Sequence, residues 1–280
     1  MKKTTLGIIK RGLQYSILIL IAFLALYPFL WMVLYSLKTN TEILVTNPFG
    51  LPKEFRFDNY SRAFGAYNIP WYFWNSIVIA VVTVCLTIVM ALLFAYAVAR
   101  MKFKWLGFVR TYILIGMFIP LQIILIPLLI LVRDLNLTNT YISIILPYVA
   151  TGIPFSTLMF YGFFRSIPYA MEESAMLDGA GIMTTFLRII VPMVQPAIAT
   201  MVILQFMNSW NEFTLALILI SDNAMKTLPL GLLAFQGMFT TDWGAMGAAL
   251  TIASLPTLII YLCFSNQVEK AMSAGSAVNG

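Results

Sequence analysis

Five consecutive residues, Asn208-Ser209-Trp210-Asn211-Glu212, interrupt an otherwise apolar stretch running from about 193 to 220. Asn and Glu side chains supply hydrogen-bond groups that match hydroxyls, and an indole supplies a flat apolar face. That combination suits a sugar ring, which has one apolar face and a rim of hydroxyls. On a continuous helix, residues two apart point about 200° apart. Trp210 and Glu212 therefore cannot face one ligand unless the helix unwinds there. Asn208 and Glu212, four apart, share a face, with Asn211 beside them. This face is the candidate lining of a solute pathway, and Trp210 is expected to pack elsewhere. The same residues also suit an interhelical hydrogen-bond cluster. Gln122 and Asn75, isolated in apolar surroundings, read as packing glue.

Other chemistry is scarce. The chain has no His, which removes histidine bases and histidine metal ligands. Cys85 and Cys263 fall in separate apolar stretches and read as small packing residues. No carboxylate pair is evident, and no Gly-Lys pair exists to build a phosphate-binding loop. No catalytic residue, no metal site and no cofactor bound by this chain is expected.

The elements that must position the polar patch are transmembrane helices. Of 280 residues, 61% are apolar and 10% charged, against about a quarter charged in a soluble domain. The mean hydropathy is +0.90, so lipid must solvate most of the surface. Charge-free runs separate Arg11 from Lys38, Arg62 from Arg100, Arg110 from Arg133, Asp134 from Arg165, Arg188 from Glu212, and Asp242 from Glu269. A bilayer core takes about 20 helical residues. The expectation is an all-α, polytopic membrane protein with six spans near 13–36, 71–99, 107–132, 141–164, 193–220 and 243–265. Continuously apolar segments such as Ile77–Val89 lack the alternation of a β-barrel strand. The first span is too long for a signal-peptide core and is read as retained.

Basic residues orient the chain. With the N-terminus inside, inner segments hold eleven Lys and Arg and outer segments six, which puts both termini in the cytoplasm. The positive net charge of +6 is thus a topology signal and needs no nucleic acid. The expected organisation is a cytoplasmic N-terminus over 1–12, a first helix over 13–36 and an outer loop over 37–70. A five-helix core over 71–265 carries an inner loop at 165–192, and a tail follows over 266–280. Residues 221–242 are expected to dip back or lie on the surface. The pairs Pro120/Pro127 and Pro147/Pro154, each seven apart, should bend the third and fourth spans.

The inner loop reads RSIPYAMEESAMLDGAGIMTTFLRIIVP from Arg165 to Pro192. Ser166 and Pro168 look like a helix start, Ile167, Ala170, Met171 and Ala175 form an apolar stripe, and Asp178-Gly179 is a turn signal. Glu172 and Glu173 flank the stripe. This is a helix–turn–helix elbow.

Here the sequence resembles the permease subunits of ATP-binding-cassette importers. Their inner-loop signature, Glu-Ala-Ala, three residues, Gly, nine residues, Ile, one residue, Leu-Pro, is met in register by Glu173, Ala175, Gly179, Ile189 and Pro192. Ser174 and Val191 depart from it by small or apolar swaps. The stretches YPFLWMVLYSLKTNTEI, NPFGLP, WNSIVIA, LPYVATGIPFSTLMFYGFF, SWNEF and DWGAMGAALTIASLP are similar to the carbohydrate, maltose-type branch. The resemblance within that branch is to the G-subunit type of permease.

The resemblance implies the type I importer permease fold in a bacterial or archaeal inner membrane. It implies a homologous second permease, two cytoplasmic ATPases holding ATP and Mg, and an extracytoplasmic sugar-binding protein. It also implies that the elbow couples to an ATPase through Glu172, Glu173, Ala175, Asp178, Gly179, Ile189 and Pro192. The polar, uncharged end Ser273–Gly280 is a frayed tail by composition and an ATPase contact by the resemblance. The alternative, a stand-alone secondary sugar transporter, would need coupling carboxylates in the membrane, and Glu212 alone is available.

Overall fold

A computed structural model describes residues 2–237 and 240–277. Among the described residues the chain is helical and has no strand; Gln236 and Thr241 form an isolated bridge. The helices are α1 (Lys2–Ser36), α2 (Asp58–Gly65), α3 (Ile69–Arg100), α4 (Leu106–Ile115), α5 (Leu121–Asp134), α6 (Tyr141–Ser166), α7 (Ala170–Leu177), α8 (Ile182–Thr185), α9 (Val191–Met193), α10 (Gln195–Asn211), α11 (Thr214–Leu219), α12 (Leu228–Gly231) and α13 (Trp243–Ala277). Four of them, α1, α3, α6 and α13, are each long and apolar enough to cross a membrane. Two further candidates are bent pairs, one at Phe118–Leu121 and one at Met193–Gln195.

The chain divides into two compact units, 1–69 with 232–254 and 70–231 with 255–280. In the first, residues 12–30 of α1 are mostly apolar and are exposed among the described residues. Beyond its end, polar side chains hold the connection to α3. Lys38, almost fully buried, donates to the carbonyls of Asn47 (2.7 Å) and Pro48 (3.3 Å). Burial lowers its pKa, and nearby Glu42 pulls the other way. Asn59 donates to the carbonyls of Ser36 (2.7 Å) and Lys38 (2.9 Å), and Arg62 bridges Asp58 and Asp242.

In the second unit, α3 runs over 32 residues and ends on Arg100, a cation placed where the helix dipole favours it. The core joins Ile79, Ile144, Ile145, Tyr148, Leu215, Leu219 and Leu230. Gly152 lets α6, α10 and α3 approach closely, since a Cβ there would sit 2.8 Å from Gln205 Oε1 and 3.0 Å from Thr87 Cγ2. Gln205 seals the approach by donating to Ser156 Oγ at 2.9 Å.

Prolines act differently in the two expected bends. Ile119, preceding Pro120, is extended (φ −83°, ψ 111°), as the proline ring demands, and the helices on either side meet at 102°. By contrast, Pro147 and Pro154 lie inside a continuous α6. The stretch 193–220 is likewise not one helix: α10 stops at Asn211, Glu212 is extended (φ −69°, ψ 129°), and α11 follows. Residues 221–237 hold single helical turns, and Asn75 pins the first of them by donating to the carbonyls of Ala224 and Lys226, both at 2.9 Å. The tail expected at 266–280 continues α13 to Ala277, and 278–280 lie outside the described residues.

Candidate functional site

Two places in the second unit gather the polar residues singled out by sequence. The first is the elbow. α6 ends at Ser166, whose hydroxyl bonds back to Phe163 O at 2.7 Å, so Ser166 closes α6 and does not cap α7. Pro168 forces Ile167 into extended backbone (ψ 128°), and α7 begins after it. α7 terminates in a paired turn. Gly179 N–H donates to Met176 O (3.0 Å) and Ala180 N–H to Ala175 O (2.9 Å), with Gly179 at φ +81°. These two bonds and the left-handed glycine form a Schellman motif. The space where a Gly179 Cβ would go is open, so the glycine is required by its backbone conformation.

Beneath α7, Glu172 and Arg100 form a buried ion pair. Their side chains are 8% and 2% exposed, and Nε lies 3.0 Å from Oε1, close in charge though not aligned as a hydrogen bond. Tyr96 donates its hydroxyl to Glu172 Oε2 at 3.2 Å. Arg100 Nη2 donates to the carbonyls of Phe164 and Ile167, and its guanidinium lies 4.3 Å from the Tyr169 ring centroid. Tyr96 also packs on Phe164 and Phe186. The ends of α3 and α6, α7 and the π-helical turn Phe186–Ile190 thus meet at one charged, aromatic knot. A buried pair of this kind is costly to break from one side, about 3–5 kcal/mol, which makes it a stiff tie.

The outward side of the elbow is apolar with an acidic edge. Leu177 is 90% exposed, with Met176 and Met183 also largely open, while Glu173 and Asp178 are exposed nearby. Ala175 is buried, Ile189 half-buried and Pro192 exposed within α9. Such a surface fits an apolar groove with a basic rim on another protein.

The second place is a cavity of about 370 Å³ beside the break between α10 and α11, lined by residues including Thr83, Met117, Ile119, Tyr148, Thr151, Phe155, Gln205, Asn208, Ser209 and Glu212. Asn208 and Glu212 come together there; Asn211, exposed at the last turn of α10, does not line it because the chain turns away at Glu212. Glu212 accepts the Tyr148 hydroxyl, the Leu215 amide at 2.8 Å and the Ala216 amide at 3.4 Å. Trp210 is buried, stacked on Phe206 and edge-on to Phe73, with centroids at 5.5 and 5.4 Å. Asn75 is consumed by its carbonyl contacts and by the Tyr141 hydroxyl at 2.8 Å, and Gln122 is exposed outside the cavity.

Arg100, Tyr96 and Tyr148 were not singled out by sequence. Arg100 read as a topology charge; the available signal was a lone cation closing a long apolar run, which needs an anion wherever its end is covered.

Residues 87–274, which include the whole elbow, match the family described as binding-protein-dependent transport system inner membrane component. The chain is 36% identical over 250 residues to the sulfoquinovosyl glycerol transport system permease protein SmoH of Agrobacterium fabrum, covering 89% of this chain and 88% of that one. It is 33% identical over 276 residues to the trehalose/maltose transport system permease protein MalG of Thermococcus litoralis, covering 96% and 97%. Among solved structures it is similar in fold to a chain of a bacterial ABC transporter involved in the import of the acidic polysaccharide alginate, with a TM-score of 0.79, 21% identity, and 92% and 96% of the two chains covered.

Proposed function

This chain belongs to the family of binding-protein-dependent transport system inner membrane components and is a transport permease subunit, not a catalytic one; from that premise we propose a full account of its work. It forms half of a pathway for a sugar or short oligosaccharide, pairs with a homologous second permease, and receives cargo from an extracytoplasmic binding protein. Two cytoplasmic ATPases hold ATP and Mg and drive it. The chain crosses the membrane six times, the bent pair around Pro120 making the third span and α10 with α11 the fifth, with both termini cytoplasmic. Residues 1–12 precede the first span (13–36), 37–70 cap the outer side, 71–265 form the core, and 266–280 follow as a cytoplasmic tail.

The elbow at 165–192 lies on the cytoplasmic side and couples to the ATPase. Glu173 and Asp178 meet basic residues of that partner, the Met176–Leu177 edge enters its groove, and Gly179 holds the turn. ATP binding closes the ATPase pair. The stiff tie at Arg100 and Glu172 passes that movement to α3 and α6, favouring the form open to the outside. Asn208 and Glu212 lie on the solute path.

The observation that carries this reading is the elbow itself. An apolar helix of about nine turns ends in a buried ion pair that leaves an apolar, acid-rimmed surface uncovered, within the family match. Affinity purification of the tagged chain from its own membranes is the test. An ATPase and a second permease in the eluate, with ATP-dependent sugar uptake in vesicles, are the expected result. Ion-gradient-driven uptake by the chain alone would refute it.

A further inference from the structure

The cavity beside the break at Glu212 has a chemistry that selects among sugars. Among the described residues no Lys or Arg lines it. Glu212, the one charged residue among those described in the lining, already accepts three hydrogen bonds, from the Tyr148 hydroxyl and the Leu215 and Ala216 amides. Three donors face the carboxylate, which is therefore held in place as part of the wall. The groups left for a ligand are neutral. Asn208 is exposed, and its amide makes no hydrogen bond among the described residues. The exposed Thr151 hydroxyl spends its hydrogen on the carbonyls of Pro147 and Tyr148 and keeps acceptor capacity. In the same lining, Phe155, four residues from Thr151 on α6, and Met117 and Ile119 present open apolar surface.

A volume of about 370 Å³ lies at the low end of the small-molecule range of about 300–1,000 Å³. We propose that this cavity is a subsite for a single uncharged sugar ring, which stacks on the Phe155 side and hydrogen-bonds Asn208 and Thr151. Carboxylated, sulfonated or phosphorylated rings are turned away by Glu212. An anion entering here would meet a fixed like charge with no cation within the lining, in surroundings where such repulsion is weakly screened. The assignment rests on the proposed role as a sugar-importer permease and adds to it a location and a charge class.

The test uses the purified permease–ATPase complex in detergent, with methyl β-D-glucopyranoside and methyl β-D-glucopyranosiduronic acid as probes, which share a ring and differ in charge. Saturation-transfer NMR reads weak binding to each. The expected result is binding of the glucoside, at least tenfold weaker binding of the glucuronide, and about fivefold weaker glucoside binding in Asn208→Ala, the size of one lost hydrogen bond. Thr151→Val, which keeps the shape, should act in the same direction. Equal, Asn208-dependent binding of both probes would overturn the charge selection. Glucoside binding indifferent to both substitutions, or absent, would overturn the subsite. ATPase co-purification is scored on the same sample: its loss contradicts the importer role, whereas an intact complex without the Asn208-dependent signal contradicts the subsite alone.

Discussion

Glu172 and Glu212 are both carboxylates drawn out of water at the junction of two helices, each with a tyrosine hydroxyl donating to it. They differ in what else meets the charge. Glu172 has a full counter-charge in Arg100, and the pair is almost completely buried. Glu212 has no cation beside it among the described residues; two backbone amides of α11 take that place, and the residue stays half-buried at a cavity. A buried ion pair resists separation strongly, because breaking it strands a charge. Hydrogen bonds from amides fix a carboxylate's position without cancelling its field on the open side. The first arrangement suits an element that must transmit force, and the second suits a wall that must hold its shape while meeting a solute.

The comparison breaks most readily at Arg100. Arg100→Ala strands Glu172 and removes the donors to Phe164 O and Ile167 O, at an expected cost of about 3–5 kcal/mol. Thermal melting of the purified complex should show the loss, and the double replacement Arg100→Met with Glu172→Met should recover much of it. A single-variant melting point equal to wild type would mean the pair is not a tie.

At the other carboxylate the expected loss is smaller. Tyr148→Phe removes one donor to Glu212 and should cost about 1–3 kcal/mol, with the elbow and ATPase docking unaffected. A Tyr148→Phe complex that also sheds its ATPase would show that the two regions are not separable.

Gly179 sharpens the elbow side. At φ +81° with open space around it, an L-residue costs about 1–2 kcal/mol in backbone conformation, and Asn tolerates the region better than a β-branched residue. Uptake should therefore fall further in Gly179→Val than in Gly179→Asn. Equal losses for both would assign the defect to a clash with the docked partner.

Much of this was legible in the sequence, for physical reasons. The charge-free runs that become α3, α6 and α13 identify themselves because lipid leaves helices few alternatives. The Gly179 turn was legible because few residues adopt positive φ. The Arg100–Glu172 pair was not, since no local pattern tells a cation at a helix end which distant segment will fold over it. At Glu212 the polar run Asn208–Glu212 marked the place, but the break itself was not legible, since its cause, a carboxylate capping the next helix turn, is a matter of geometry. Pro120 broke its helix and Pro147 and Pro154 did not, although all three sit in similar apolar runs.

Glu42 provides the smallest effect and a reference outside both regions. Burial works to raise its pKa, but the Lys53 amide, the Asn47 side chain and the charges of Lys38 and Lys53 outweigh it and hold the carboxyl below its ordinary value of 4.5. A depressed folded pKa gives stability that is present above the ordinary value and lost as pH falls through the folded one. The melting-point advantage of wild type over Glu42→Gln should thus shrink below about pH 4.5.

The central claim, that the elbow hands the ATPase's movement to the membrane helices, is tested most directly at Leu177, which is 90% exposed. With Cys85 and Cys263 replaced by Ser, a single cysteine placed as Leu177→Cys is treated with a short thiol–amine cross-linker in native membranes. The account predicts a cross-linked product containing the ATPase subunit, with a yield that changes when ATP is added. Absence of any ATPase product, together with labelling of that cysteine by an impermeant reagent from outside the cell, would contradict it.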